Sequence, residues 1–140
     1  MNSNDVISLI SKIRGNVNRT IVSELSKQGI DGIATSHGDI IHALFRKPRL
    51  TMAEIAEKIG RDKSTVTALV DKLVRLGYVV KERDTADTRV VYAALTQKGN
   101  ELKPIFEAIS TGILDTFYLD ISEDEKEELT RILNKIHQNF

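Results

Sequence analysis

The sequence predicts a mainly α fold with a small β-hairpin wing, a winged helix-turn-helix with N- and C-terminal dimerisation helices. Three observations predict it. Apolar residues recur at three- and four-residue steps through most of the 140 residues. Two short helical patterns, TMAEIAEKIG and Asp62 to about Gly77, follow one another across a glycine-containing turn. Directly after them, residues 78–83 and 89–95 alternate like strands around the polar tip Asp84-Thr85-Ala86-Asp87-Thr88. A helix followed at once by a β-ribbon is the winged variant of the motif that sets its second helix in the DNA major groove.

In chain order, Val6, Leu9, Ile10, Ile13, Val17, Ile21 and Leu25 define a first helix of about residues 4–27, longer than a small core demands. KQGIDGIATS (27–36) reads as a loop. Ser36 is expected to cap a second helix, with Asp39 answering it and Ile40, Ile41, Leu44 and Phe45 facing inward. Pro48 ends that helix by disfavouring helical geometry at Lys47. Thr51 and Glu54 form a capping box for a third helix with Met52, Ile55, Ala56 and Ile59 inside, closed by Gly60. Asp62 caps the fourth, whose buried stripe is Val66, Leu69, Val70, Leu73 and Leu76. Thr96 starts a fifth, with Leu102, Ile105, Phe106, Ile109, Ile113, Leu114 and Phe117 inward; Pro104 either bends it or marks its real beginning. Ser122 and Glu125 box the start of a sixth helix, with Leu129, Ile132, Leu133 and Ile136 on one face.

At this length and 41% hydrophobic composition the chain supports one well-buried core and not two large domains. The absence of cysteine excludes disulfides, thiolate metal sites and cysteine redox sensing. The first residues lack a basic start and an unbroken apolar run, and no stretch approaches the roughly 18 apolar residues of a membrane helix, so a soluble cytoplasmic protein is expected. Net charge is zero, yet unevenly spread. Residues 46–98 hold 12 Lys/Arg against 7 Asp/Glu, whereas the flanks hold 8 against 13. A basic working face on an acidic scaffold explains this, with chance clustering as the bland alternative.

The fourth helix turns Lys63, Ser64, Thr67, Ala68, Asp71, Lys72 and Arg75 away from the core-facing stripe, and all of these but Asp71, together with Thr65, are candidate DNA contacts. Small and hydroxyl side chains at its start permit close approach to base edges, and the cations further along suit phosphates. An ordinary solvated face is the competing reading. Lys81 and Arg83 on the first wing strand suit backbone phosphates. Thr88 and Arg89 sit where a ribbon tip enters a narrow minor groove, whose negative potential attracts arginine. Asp87 repels phosphate but can orient the Arg89 guanidinium through a planar ion pair; purely structural roles for both are the alternative.

Two stretches carry a family resemblance: the text MAEIAEKIGRDKSTVTALVDKLVRLGYVVK, and Asp87-Thr88-Arg89 followed by Leu95-Thr96-Gln97-Lys98-Gly99. The chain resembles the MarR family of winged-helix transcriptional regulators over nearly its full length. That resemblance implies a homodimer in which the first, fifth and sixth helices interlock and two winged helices straddle a pseudo-palindromic operator in double-stranded DNA. Residues 1–34 and 97–140 would form the dimerisation region and 35–96 the DNA-binding domain. It also implies a repressor relieved by a small-molecule effector bound between these parts, near Arg14, Asn18, His37, Ile41 and Phe45. A winged helix used only for protein contacts is the second reading; a mobility shift with promoter DNA separates the two. An enzyme is a distant third, because no phosphate-cradling glycine loop, nucleophile elbow or zinc-protease helix motif is present. No cofactor or metal is expected. His37 and His42 lie five residues apart, about 140° around a helix, and do not share a face.

Overall fold

The computed structural model describes residues 2–140. Helix α1 (Ser3–Lys27) opens at Asn2, whose N–H donates to the Asp5 carboxylate at 3.0 Å. Its C-terminal half enters the core through Leu25 and Ile21, while Val6, Ile7, Leu9, Ile10 and Ile13 stay exposed. Ile30 and Ile33 tuck the following loop against the core.

Helix α2 (Thr35–Arg46) starts two residues earlier than the sequence suggests. Its cap is Ala34, not Ser36: the His37 Nδ1 accepts the Ala34 N–H at 2.9 Å, and Asp39 takes no part. The Ser36 hydroxyl instead accepts from the Arg61 guanidinium at 3.2 Å. Pro48 does end the helix, leaving Lys47 extended.

A strand then appears that alternation did not reveal, β1 (Arg49–Thr51), so the wing is one edge of a three-stranded sheet rather than an isolated hairpin. Three residues are too few to show a period, yet Leu50 is completely buried opposite Ala93. The antiparallel order is β1–β3–β2, with β2 (Val79–Arg83) and β3 (Val91–Leu95) in the register Val79↔Leu95 to Arg83↔Val91.

Helix α3 (Met52–Ile59) has the Thr51–Glu54 capping box, at 3.0 and 3.1 Å. The Lys47 ammonium beside Glu54, at 2.9 Å, and the Thr51 contacts hold that carboxyl down to about 2. Gly60 closes α3 at φ 67°, a left-handed conformation that turns the chain into α4 (Lys63–Arg75).

Leu95 leads into a short helix, α5 (Gln97–Asn100), and a longer one, α6 (Lys103–Phe117). Pro104 therefore marks the beginning of the long helix, in its first turn where no N–H partner is lost. Ser122 and Glu125 box α7 (Glu123–Gln138). The core joins Leu25 of α1 and Ile40, Ile41 and Leu44 of α2 to Ile55, Val66, Val70 and Leu73 of the helix-turn-helix. Val79, Ala93, Leu102 and Phe106 complete it; α7 contributes no buried residue. Among the described residues, no helix is long and apolar enough to cross a membrane.

Candidate nucleic-acid interface

The start of α4 is tightly tied. The Asp62 carboxylate accepts the Thr65 N–H at 2.7 Å and the Ser64 hydroxyl at 3.0 Å. Those contacts, Thr65 foremost, hold it below the usual carboxylate range. With Val66, Val70 and Leu73 buried, Lys63, Ser64, Thr67, Ala68 and Arg75 are exposed, and Thr65 and Lys72 are half-buried. The Thr67 hydroxyl donates to the Lys63 carbonyl at 2.9 Å, which leaves its oxygen turned outward as an acceptor.

The wing tip is built from its own short-range bonds. Asp84 donates its N–H to the Val90 carbonyl at 2.9 Å, Val90 donates to Asp87 at 3.0 Å, and the Asp84 carboxylate accepts the Asp87 N–H at 2.9 Å. Arg89 lies in the turn just ahead of β3. Its Nε and Nη2 each donate to one Asp87 oxygen at 3.0 Å, and its own N–H reaches the same carboxylate at 3.1 Å. This two-pronged pair holds the Asp87 carboxyl low and raises the Arg89 guanidinium. The Arg89 side chain is nonetheless 89% exposed, so the pair aims the cation without consuming it.

Lys63, Ser64 and Thr67 share one open groove of about 600 Å³ with Arg89 and Val91, with Thr51, Met52 and Ala53 of the β1–α3 junction also lining it. Part of the sequence-derived set thus converges on one surface. Other members have partners within the chain. Lys81 pairs with Asp71, tying the wing to α4. Arg83 donates to the Thr88 carbonyl, stapling the two sides of the ribbon. The half-buried Lys72 reaches toward the α1–α2 loop, its ammonium 3.6 Å from where a side chain on Gly32 would begin. Sequence reasoning missed Arg61 and Ser36, which bridge the helix-turn-helix turn to the start of α2. Their separation of 25 residues leaves no local signal.

The five residues named for an effector do not gather around one cavity. Ile41 is completely buried and His37 nearly so, Asn18 faces a shallow depression along α1, and Phe45 packs edge-on against His42 and Phe106. Arg14 is near enough to Asp39 to act on its carboxyl. Among the described residues, no group of three or more His, Cys, Asp or Glu is arranged to hold a metal ion.

A family model described as the MarR family matches residues 31–90, from the end of the α1–α2 loop to the wing. The transcriptional regulator SarZ of Staphylococcus haemolyticus is 32% identical over 100 residues, covering 71% of this chain and 67% of that protein. A MarR protein from Peptoclostridium difficile superposes with a TM-score of 0.88 at 20% identity, covering 99% of this chain and 88% of that one. A Staphylococcus aureus MepR–DNA complex gives 0.86 at 23% identity, covering 100% and 99%. Fold, helix-turn-helix text and identity to a regulator across two thirds of its length agree: this chain belongs to the MarR family of transcriptional regulators.

Proposed function

We propose that the protein is a homodimeric, sequence-specific DNA-binding regulator, a repressor relieved by a small-molecule ligand. In this reading residues 62–77 enter the major groove and the wing, 78–95, enters the minor groove. Residues 35–96 are the DNA-binding part and 1–34 with 97–140 the dimerising part. The observation that carries it is the shared groove, with small hydroxyl side chains on one wall and the aimed, solvent-facing Arg89 on the other. Hydroxyls that donate or accept suit base edges, and an exposed guanidinium held in a plane suits a narrow groove flanked by phosphates. The DNA in the MepR complex extends the same reading to this fold.

Fluorescence anisotropy on operator DNA across a salt series tests it. Arg89→Ala is expected to weaken binding about tenfold and to flatten the slope of log affinity against log salt by about one. Asp87→Asn, which keeps the arginine but frees it, should lose less affinity. Wild-type protein with no salt-sensitive duplex binding would instead leave the fold as a protein-contact module.

A further inference from the structure

We propose that α4 reads adenine·thymine pairs in the major groove through an acceptor-and-methyl face made by Ser64, Thr67 and Ala68, with Thr67 and Ala68 setting the specificity. The inference rests on the DNA-binding function proposed above and names the base pairs that this function selects.

Residues three and four apart share one face of a helix, so Ser64, Thr67 and Ala68 stand together, and all three are exposed. The direction of their hydrogen bonds is fixed by chemistry. The Ser64 hydroxyl meets the Asp62 carboxylate at 3.0 Å, and the Thr67 hydroxyl meets the Lys63 carbonyl at 2.9 Å. An ionised carboxylate and a carbonyl only accept, so both hydroxyl protons are directed back into the chain. The face is left with acceptor oxygens and with the methyl groups of Thr67 and Ala68. Guanine offers the major groove two acceptors, N7 and O6, and so asks for donors. Adenine offers its N6 amino donor, and the thymine opposite adds a C5 methyl. An acceptor and a methyl suit that pair, whereas a guanine O6 against the Thr67 oxygen sets two acceptors face to face. Cytosine supplies an amino donor but no methyl. The neighbouring charges do not reverse the preference. Lys63 is a point charge on a flexible stem and suits phosphate. Arg75, whose fork suits guanine, stands eleven residues beyond Ser64, about 16 Å further along the axis. Asp71, one turn on from Thr67, is engaged by Lys81.

Selection of duplexes from a random-sequence library by the full-length protein, followed by fluorescence anisotropy on the duplex recovered, tests this. A·T should be enriched at positions whose preference relaxes when selection is repeated with Thr67→Val or Ala68→Gly. At such a pair in one half-site, deoxyuridine for thymine should weaken wild-type binding about fourfold, the effect of one methyl group. Unsubstituted purine for adenine, which removes the amino donor, should weaken it about tenfold. Thr67→Val should erase the purine effect, and Ala68→Gly should shrink the deoxyuridine effect. Each ratio is taken within one protein, so a loss of helix stability cancels. An inosine·cytosine pair has the minor-groove face of A·T and the major-groove face of G·C. It should be rejected at these pairs and tolerated where the wing lies. Enrichment of G·C at the pairs governed by Thr67, equal affinity for thymine and deoxyuridine, or ratios unchanged in both variants would each overturn the proposal. Salt-sensitive duplex binding without A·T enrichment would sink it and leave the proposed function standing; absence of duplex binding would remove both.

Discussion

His37 is 6% exposed, and its Nδ1 accepts the Ala34 N–H at 2.9 Å, so that nitrogen carries no proton in the folded chain. Burial, and then the charge of Lys72, lower its pKa from the ordinary 6.5. Burial also lowers His42. The sign of the linkage follows: the unfolded chain takes up these protons more readily, so stability is complete above about pH 6.5 and is lost as pH falls through the depressed folded values. The melting temperature should therefore decline between pH 7 and 5, above the window in which Glu54, held at about 2, and the other lowered carboxylates titrate. His37→Asn supplies a neutral side-chain acceptor and should flatten part of that decline. Parallel pH curves for the two proteins would acquit His37. Arg89 offers the complementary case at this scale. Its pair with Asp87 spans two residues, so the partner was legible from spacing alone. Lys81 and Arg83 were legible only as cations, because Asp71 lies ten residues from Lys81 and the ribbon must close before Thr88 meets Arg83.

The elements most readable in the text are those whose ends are set locally. The boxes at Thr51–Glu54 and Ser122–Glu125, and the cap at Asp62, use partners three residues apart. The start of α2 was misplaced because an imidazole does the work of the usual box carboxylate, and β1 went unseen because its pairing with β3 is entirely tertiary. The Leu95-Thr96-Gln97-Lys98-Gly99 stretch was legible as a pattern but not as a mechanism. The Thr96 hydroxyl donates to the Gly77 carbonyl at 2.6 Å and accepts the Gly99 N–H at 3.1 Å, while the Thr96 N–H reaches Tyr78 at 3.0 Å. Lys98 donates to the Leu76 carbonyl at 2.8 Å. These bonds clamp the base of the wing onto the end of α4. The clamp needs glycine at 99, because a Cβ there would lie 2.2 Å from the Tyr78 carbonyl oxygen and 3.0 Å from Leu95. Since backbone cannot move aside cheaply, Gly99→Ala should destabilise by about 2–3 kcal/mol. At roughly 3 °C per kcal/mol, calorimetry should show a melting temperature some 6–9 °C lower. An unchanged melting temperature would mean the clamp is slack.

At the scale of the whole molecule, the apolar surface is in excess. Helix α7 runs 16 residues without burying one, and Leu129, Ile132, Leu133 and Ile136 remain 38–43% exposed along a single face. Leu114, Phe117, Leu119 and Ile121 near the α6–α7 junction, with Val6, Ile7, Leu9 and Ile10 of α1, extend this surface. Contiguous apolar faces of this kind mark an association surface, and in the homodimer proposed above a second copy would supply the matching one through two-fold symmetry. In that proposed dimer the division of labour has an energetic basis: the winged helix, with Leu25, Leu102 and Phe106 from the flanking helices, already has its core, while the outer face of α7 would be covered only on pairing. Replacing Ile132 and Leu133 with glutamate places two charges in that face without touching any residue of the core. Sedimentation should show wild-type dimers and variant monomers at micromolar concentration, with the variant's winged helix still folded by circular dichroism. Operator affinity should fall by about a hundredfold or more, because two half-sites no longer share one binder. Binding of a single half-site should change little. A wild-type chain that sediments as a monomer while gripping the full operator tightly would refute the arrangement, because one winged helix would then suffice.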